Sequence, residues 1–281
     1  MEITKEEVLK KIELTKSTKY DLGVGIINAK GNLPDPNKFS EFPSAIHRLQ
    51  KPRGNLKLML PSYIDSGSYK RSIFEIDTSS WPGGQVSSMG SMFDGFTSLS
   101  KVDLSMFDVS NCTSFYKTFE NCQSIIYIEF PGWKAGKVLR ADHMFRNCYS
   151  VTRLDLSWMS FGSNGADLDS MFYGCWGLEY LDISNFNMIC VNYVRYMFYG
   201  CKKLSNIIWP NNFTLSGYDT TLQLNDCPLT KASVLDLFNK LKSVTSKREI
   251  QLGAAVYDGL SPDNLKIATD KGWTICRGLG L

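Results

Sequence analysis

The sequence predicts an α/β fold in which short parallel strands and short helices coil into a solenoid. Three observations lead to this prediction: a motif that recurs about every 26 residues, an apolar pattern after each copy of it, and a different pattern near the C-terminus. The composition suits a folded chain, since 43% of the 281 residues are hydrophobic and 21% are charged. We therefore take the repeat as the organising feature of the chain.

A five-residue motif, Met-Phe-x-x-Cys, marks the repeat. Its copies start at residues 92, 118, 144, 171 and 197, and a degenerate sixth copy ends at Cys227. The Met and Cys positions are four residues apart, which places them on one side of a short helical turn. A Gly or Asn often precedes the Cys and suits a tight turn out of that helix. The motif therefore predicts one short helix in every unit.

A second pattern, L-x-x-L-x-L, follows each motif. Its copies are Leu99/Val102/Leu104, Ile125/Ile128/Phe130, Val151/Leu154/Leu156, Leu178/Leu181/Ile183 and Leu204/Ile207/Trp209. The last two apolar positions flank one residue that is usually polar, which is the period of a strand with one buried face. Stacked units would bury a continuous core beneath one parallel sheet. The predicted fold is a leucine-rich-repeat solenoid, and we assign it to residues 55–229.

The N-terminal part of the chain is expected to be helical. Residues 1–54 form a docking or capping segment in this interpretation, with one helix over residues 1–16 and another over residues 43–49. Two weaker units, at residues 56–60 and 74–77, have the pattern of strands but lack the Met-Phe motif.

The C-terminal part is expected to be an α/β cap over residues 230–281. An amphipathic helix from Thr230 to Val244, a strand at 249–252, a helix opened by Ser261-Pro262 and a strand at 273–276 follow one another. A cap would cover the core and the sheet edge that the last repeat otherwise exposes.

The repeat resembles the bacterial-surface-protein-A-like leucine-rich repeat family. The segments that carry the resemblance are VDLSMFDVSN at residues 102–111 and LDISNF at 181–186, and it extends over about residues 74–229. Departures from the family pattern occur at Phe96, Thr118 and Pro131. The resemblance implies a protein that mediates adhesion or attachment, on bacterial and protist surfaces or in tailed bacteriophages.

Five of the eight cysteines share one repeat position: Cys122, Cys148, Cys175, Cys201 and Cys227. We predict a ladder of buried thiols, because free cysteine is among the most buried residue types. Zinc would need CxxC pairs or histidine partners, and neither is present.

No catalytic residue, metal site or cofactor is expected. His47 and His143 are the only histidines, and nothing in the sequence places a nucleophile beside either. Phosphate-binding and hydrolase motifs are missing. The net charge of +3 comes from scattered residues, which argues against nucleic acid, and no apolar run is long enough to span a membrane.

An outward-facing row along the strands is the candidate binding site. It consists of Lys101, Asp103, Tyr127, Glu129, Arg153, Asp155, Tyr180 and Asp182. We call these eight residues the strand-face strip. Strand alternation places them on one side, and Tyr and Arg are enriched at interface hot spots. The alternative is an ordinary solvated face, and carboxylates on parallel strands make a poor calcium cage.

These patterns predict a non-catalytic structural or binding protein. The favoured setting is the virion of a tailed bacteriophage, as part of a fibre, a tail or a head decoration, because residues 1–7 show no secretory signal. The alternative is a bacterial cell-surface adhesin. Expected partners are other virion proteins, or a host surface protein or glycan, within a homo-oligomer or a larger assembly.

Overall fold

A computed structural model describes residues 54–55, 71, 75–76, 84–163 and 165–278 of the chain. The helices predicted at residues 1–16 and 43–49, and the strand predicted at 56–60, lie outside the described residues. The weak strand predicted at residues 74–77 is confirmed over Glu75–Ile76.

Short strands make up most of the regular structure. They are β1 Gly54–Asn55, β2 Glu75–Ile76, β3 Gly84–Ser88, β4 Lys101–Val102, β5 Phe107–Asp108, β6 Ala135–Val138, β7 Arg153–Asp155, β8 Met159–Phe161, β9 Ala166–Asp167, β10 Tyr180–Asp182, β11 Val191–Tyr193, β12 Asn206–Ile208, β13 Thr221–Leu224, β14 Glu249–Leu252 and β15 Thr274–Arg277. The α-helices are α1 Lys231–Lys240, α2 Ala254–Asp258 and α3 Pro262–Thr269, and Met188–Cys190 form a 3-10 helix.

Strand pairing joins equivalent positions of neighbouring repeats. Arg153 of β7 pairs in parallel with Tyr180 of β10, and Tyr180 pairs in turn with Asn206 of β12. Glu75 of β2 pairs in the same way with Lys101 of β4. Residues that are one repeat apart in the sequence therefore lie side by side on neighbouring strands.

The predicted α/β class, a leucine-rich-repeat solenoid with a helix in every unit and one parallel sheet, is wrong. In the described part of the chain the strands lie in six small, separate sheets of two or three strands each. Within the described part of the chain before Lys231 there is a 3-10 helix but no α-helix. The Met-Phe-x-x-Cys segments, for which the sequence predicts short helices, form turns.

Backbone torsions show why these segments are not helical. In the fourth copy, φ is +56° at Ser170 and +73° at Gly174, values that a right-handed helix does not contain. The same two positions have positive φ in the other copies, at Ser91 and Gly95, Lys117 and Asn121, His143 and Asn147, and Tyr196 and Gly200. The Gly or Asn before the Cys therefore serves a tight turn, as predicted, but the turn does not follow a helix.

Amide hydrogen bonds give the second reason. The N–H of Phe172 donates to the carbonyl of Met197 at 3.0 Å, and the N–H of Gly174 donates to that of Tyr199 at 2.8 Å. Alternate residues thus bond to the next unit, and the N–H of Met171 between them donates within its own unit, to Leu168. Donors that an α-helix would use locally find acceptors about 25 residues away.

A column of phenylalanine rings lies at the centre of the repeat core. The rings of Phe93, Phe119, Phe145, Phe172 and Phe198 are buried and stack face to face, with centroids 5.2, 5.6, 5.9 and 5.6 Å apart. The leucine-type positions that the sequence assigns to the core, such as Leu154 and Leu181, are also buried. Complete burial of each such side chain stabilises the fold by roughly 1.5–3 kcal/mol.

The four predicted C-terminal elements occur in the predicted order, but the helix α2 between β14 and α3 was not predicted. Strands β13, β14 and β15 form one parallel sheet. Helix α1 begins after Thr230, whose side chain accepts the N–H of Ser233, and α3 begins after Ser261 in a capping box with Asn264. The first helix ends at Lys240 rather than at Val244, because the next residue has an extended backbone. None of the described helices has the length and hydrophobicity needed to cross a membrane.

Candidate binding surface

The strand-face strip lies on the outer side of the strands. All eight of its side chains are exposed or half-buried. The residues between them, Val102, Ile128, Leu154 and Leu181, are buried. The predicted direction of these side chains is therefore confirmed, while their role in binding stays a prediction.

Two residues of the strip form a cation–π contact across neighbouring strands. The guanidinium carbon of Arg153 lies 3.7 Å from the centre of the Tyr180 ring, and the two residues are strand partners. Asp155 and Asp182, two positions further on, are strand partners as well. A cation–π contact at an exposed site is worth about 0.5–1 kcal/mol, so this pair orders the surface more than it stabilises the fold.

The aspartates of the strip have a structural role that the sequence analysis missed. The carboxylates of Asp103, Asp155 and Asp182 each accept the backbone N–H of the serine two residues later, at 2.9, 3.0 and 2.9 Å. Such Asx turns end a strand by offering the backbone a side-chain acceptor. The recurring Asp-x-Ser sequence is the signal that would have revealed them. One oxygen of each carboxylate is committed to the fold.

The second unit differs from its neighbours. Tyr127, Ile128 and Glu129 occupy the strand position but belong to no strand, so the described sheets β2-β4 and β7-β10-β12 are separated here. Proline at position 131 has no N–H, so the Asx turn of the other units cannot form. Gly132 follows with φ +68°, a value that favours glycine.

An open groove lies at this interruption. It is lined by Tyr127, Ile128, Glu129, Phe130, Pro131, Arg153, Asp155, Ser157 and Trp158. We call it the sheet-gap groove. Four of its lining residues belong to the strand-face strip, so the structure gathers Tyr127, Glu129, Arg153 and Asp155 around one concave surface.

The turn side of the repeats carries a second surface, which the sequence analysis did not identify. Its members are Tyr149, Tyr173, Trp176, Tyr196 and Tyr199, which we call the aromatic ladder. The rings of Tyr149 and Trp176 stack 4.3 Å apart, and those of Tyr173 and Tyr199 stack 5.0 Å apart. Trp176, Tyr196 and Tyr199 are 51%, 53% and 51% exposed.

Repeat position explains the aromatic ladder. Tyr173 and Tyr199 follow the buried phenylalanine of their Met-Phe-x-x-Cys copies, while Tyr149 and Trp176 follow the cysteine. Equivalent positions of neighbouring units lie side by side, so two aromatic residues at one position must stack. The signal in the sequence is the recurrence of aromatic residues at the variable positions of the motif. The guanidinium carbon of Arg146, at the preceding copy, lies 4.9 Å from the centre of the Tyr173 ring.

The cysteine ladder is buried, as predicted, and its cysteines are free. Burial raises the pKa of the Cys148, Cys175 and Cys201 thiols well above the ordinary value. Burial also raises the pKa of Cys112, which lies off the ladder, to about 11. Thiols that stay protonated are poor nucleophiles and poor metal ligands. Among the described residues, no group of three or more His, Cys, Asp or Glu could hold a metal ion.

His143 is placed at a turn, with φ +60°. Its Nδ1 lies 3.6 Å from a carboxylate oxygen of Asp142 and has no hydrogen-bond partner. Its ring meets Tyr116 edge to face, with centroids 6.2 Å apart. The carboxylate of Asp142 is engaged by two nitrogens of Arg140, at 3.1 and 3.0 Å. The arrangement fits a packed surface histidine; His47 lies outside the described residues.

Comparison with known proteins gives one family. The family described as "Mycoplasma protein of unknown function, DUF285" matches residues 65–158 and 132–220. No curated protein and no solved structure matches the chain significantly. The two matched segments overlap, together cover more than half of the chain, and include all five complete copies of the repeat motif. The chain therefore belongs to the DUF285 family.

Proposed function

We propose that this chain is a non-catalytic binding protein whose aromatic ladder is its main contact surface. The observation that carries the proposal is the exposure of stacked Trp and Tyr side chains on a backbone that neighbouring units hold in register. Aromatic residues give the largest contact area for the least loss of side-chain freedom, and Trp, Tyr and Arg dominate interface hot spots. An exposed patch of this kind marks an interaction site.

The strand-face strip is a second contact surface in this proposal. Its aspartates are partly committed to Asx turns, so its contribution is specificity and orientation more than affinity. Partners would be other copies of the chain, other proteins of the same assembly, or a protein or glycan on a host surface.

We propose a virion of a tailed bacteriophage as the setting. The support is the resemblance of the repeats to bacterial-surface-protein-A-like repeats, which occur in tailed bacteriophages. A bacterial cell surface is the second candidate, because such repeats occur there too and the matched family is described by a Mycoplasma protein. In both settings the chain would present a binding surface.

Mass spectrometry of purified virus particles and surface labelling of intact cells separate the two settings. The virion proposal expects the chain in washed particles at a fixed ratio to the capsid protein. Its absence from particles, together with labelling on intact cells, would overturn the virion setting and support the surface setting.

Substitutions in the aromatic ladder test the contact surface. A Trp176→Ser, Tyr199→Ser double variant should lose most of its retention on the particle or the cell, while its melting temperature changes little. Tyr218→Ser is the matched control, since Tyr218 is 75% exposed and lies outside the aromatic ladder. Equal retention of the two variants would show that the aromatic ladder is not the contact surface.

A further inference from the structure

The sheet-gap groove combines aromatic rings with acidic groups at its rim. Tyr127 is 56% exposed, and Phe130 and Trp158 form the apolar wall, with ring centroids 4.9 Å apart. Glu129 and Asp155 are exposed at the same groove. A concave surface with a few polar groups is the usual form of a site for a small group or a single side chain.

The charges around the groove favour a cation. Glu129 is an exposed carboxylate that has no ion pair or side-chain hydrogen bond with any residue that the structure describes, and Asp155 has one oxygen left after its turn with Ser157. The one basic residue of the lining, Arg153, directs its guanidinium over Tyr180 on the next strand. The groove therefore has two acidic side chains and several aromatic rings but only one basic side chain, Arg153, which already contacts Tyr180.

We propose that the sheet-gap groove binds a basic side chain, lysine or arginine, of a protein partner. The aromatic rings would contact the aliphatic stem and the cation, and Glu129 and Asp155 would pair with its charge. This inference deepens the proposed binding function, because it names the chemistry that a partner must present. It concerns a surface separate from the aromatic ladder, so the two are tested independently.

Titration of the isotope-labelled full chain tests the proposal directly. The probe is N-acetyl-arginine methylamide, and the readout is the indole N–H resonance of Trp158, one of six tryptophans, assigned by its loss in Trp158→Phe. We expect a saturable shift with this probe. N-acetyl-norleucine methylamide, which has an apolar side chain, should give no saturable shift.

Neutralising the two acids should weaken binding of the probe at least about fivefold. The variant Glu129→Gln, Asp155→Asn keeps an oxygen for the turn at Ser157, so its fold is retained, and the unchanged remainder of the spectrum checks this. Glu179→Gln is the control, because Glu179 is an exposed acid that does not line the groove. Its affinity should equal that of the wild type.

Three results would overturn the inference. They are no saturable shift of Trp158 with the arginine probe, an equal shift with the norleucine probe, or an equal shift with a neutral trisaccharide such as raffinose, which would make the groove a sugar site. Retention on particles or cells, tested through the aromatic ladder, does not depend on the outcome of this titration.

Discussion

The thiol of Cys175 donates a hydrogen bond to the backbone carbonyl of Phe145, with 3.1 Å between sulfur and oxygen. The same carbonyl accepts the N–H of Cys148 in its own unit. Equivalent thiol bonds link Cys122 to Phe93, Cys148 to Phe119 and Cys201 to Phe172, at 3.0, 3.1 and 3.2 Å. Each of these four ladder cysteines thus connects its unit to the backbone of the preceding unit.

The buried thiols predict a loss of stability at alkaline pH. Their folded pKa is raised by burial, whereas unfolded thiols ionise near about 8.5. The stability that they contribute is complete below the unfolded pKa and is lost as pH rises through the folded pKa. Chemical denaturation across this range should show the fall, and Cys175→Ala should make it less steep. Equal slopes for variant and wild type would contradict this account.

Replacing Gly174 should destabilise the fold because of its backbone torsion. Its φ of +73° disfavours residues with a Cβ atom, and a Cβ there would lie 2.7 Å from Oδ1 of Asn147. Gly174→Ala should lower the free energy of unfolding by about 1–2 kcal/mol. Gly174→Asn should cost less, because asparagine occupies the equivalent positions 121 and 147 with φ +62° and +61°. Denaturant melts measure both, and an asparagine variant as damaged as the alanine variant would contradict the torsional explanation.

Two substitutions of Asp155, by alanine and by asparagine, should differ in their effect on stability. Asp155→Ala removes the acceptor for the N–H of Ser157 and should cost about 0.5–1.5 kcal/mol. Asp155→Asn keeps an amide oxygen in the same place and should remain within about 0.5 kcal/mol of the wild type. Thermal melts of the two variants provide the comparison. If both lost the same stability, the carboxylate charge rather than the Asx turn would be responsible.

Replacing Asp167 with asparagine should stabilise the fold at pH 7 but not at acid pH. Burial, opposed by a hydrogen bond from the N–H of Asp169, raises the pKa of its carboxyl group, and the nearby carboxylates of Asp142 and Asp169 add to the rise. The stability that the protonated Asp167 carboxyl group contributes is complete below the unfolded pKa of about 3.9 and is lost as pH rises through the folded pKa. Asp167→Asn, which imitates the neutral form, should therefore melt above the wild type at pH 7 and level with it at acid pH. A variant that is less stable at pH 7 would refute this.

The candidate surfaces were predictable to different degrees. Strand alternation correctly placed Asp155 and Tyr180 on the outer side, because a period of two residues is a local property of an extended chain. The sheet-gap groove was not predictable from that rule. It depends on how residues 127–129 meet the next unit, and the consequence of Pro131 for strand pairing is visible only when both units are in place.

The spacing of the units, the burial of the Phe and Cys positions, and the order of most elements after Thr230 were predictable from local patterns in the chain. These features follow from hydrophobic periodicity and from capping residues, which act over a few positions of the chain. That the motif around Phe172 is a turn depends on contacts between units and was not predictable in this way. A helix would bond the Phe172 N–H to the carbonyl of Leu168, four residues back, whereas the structure bonds it to the carbonyl of Met197 in the next unit, and local propensity does not distinguish the two. Stacking of the units settles the choice, and with it the separate sheets and the aromatic ladder.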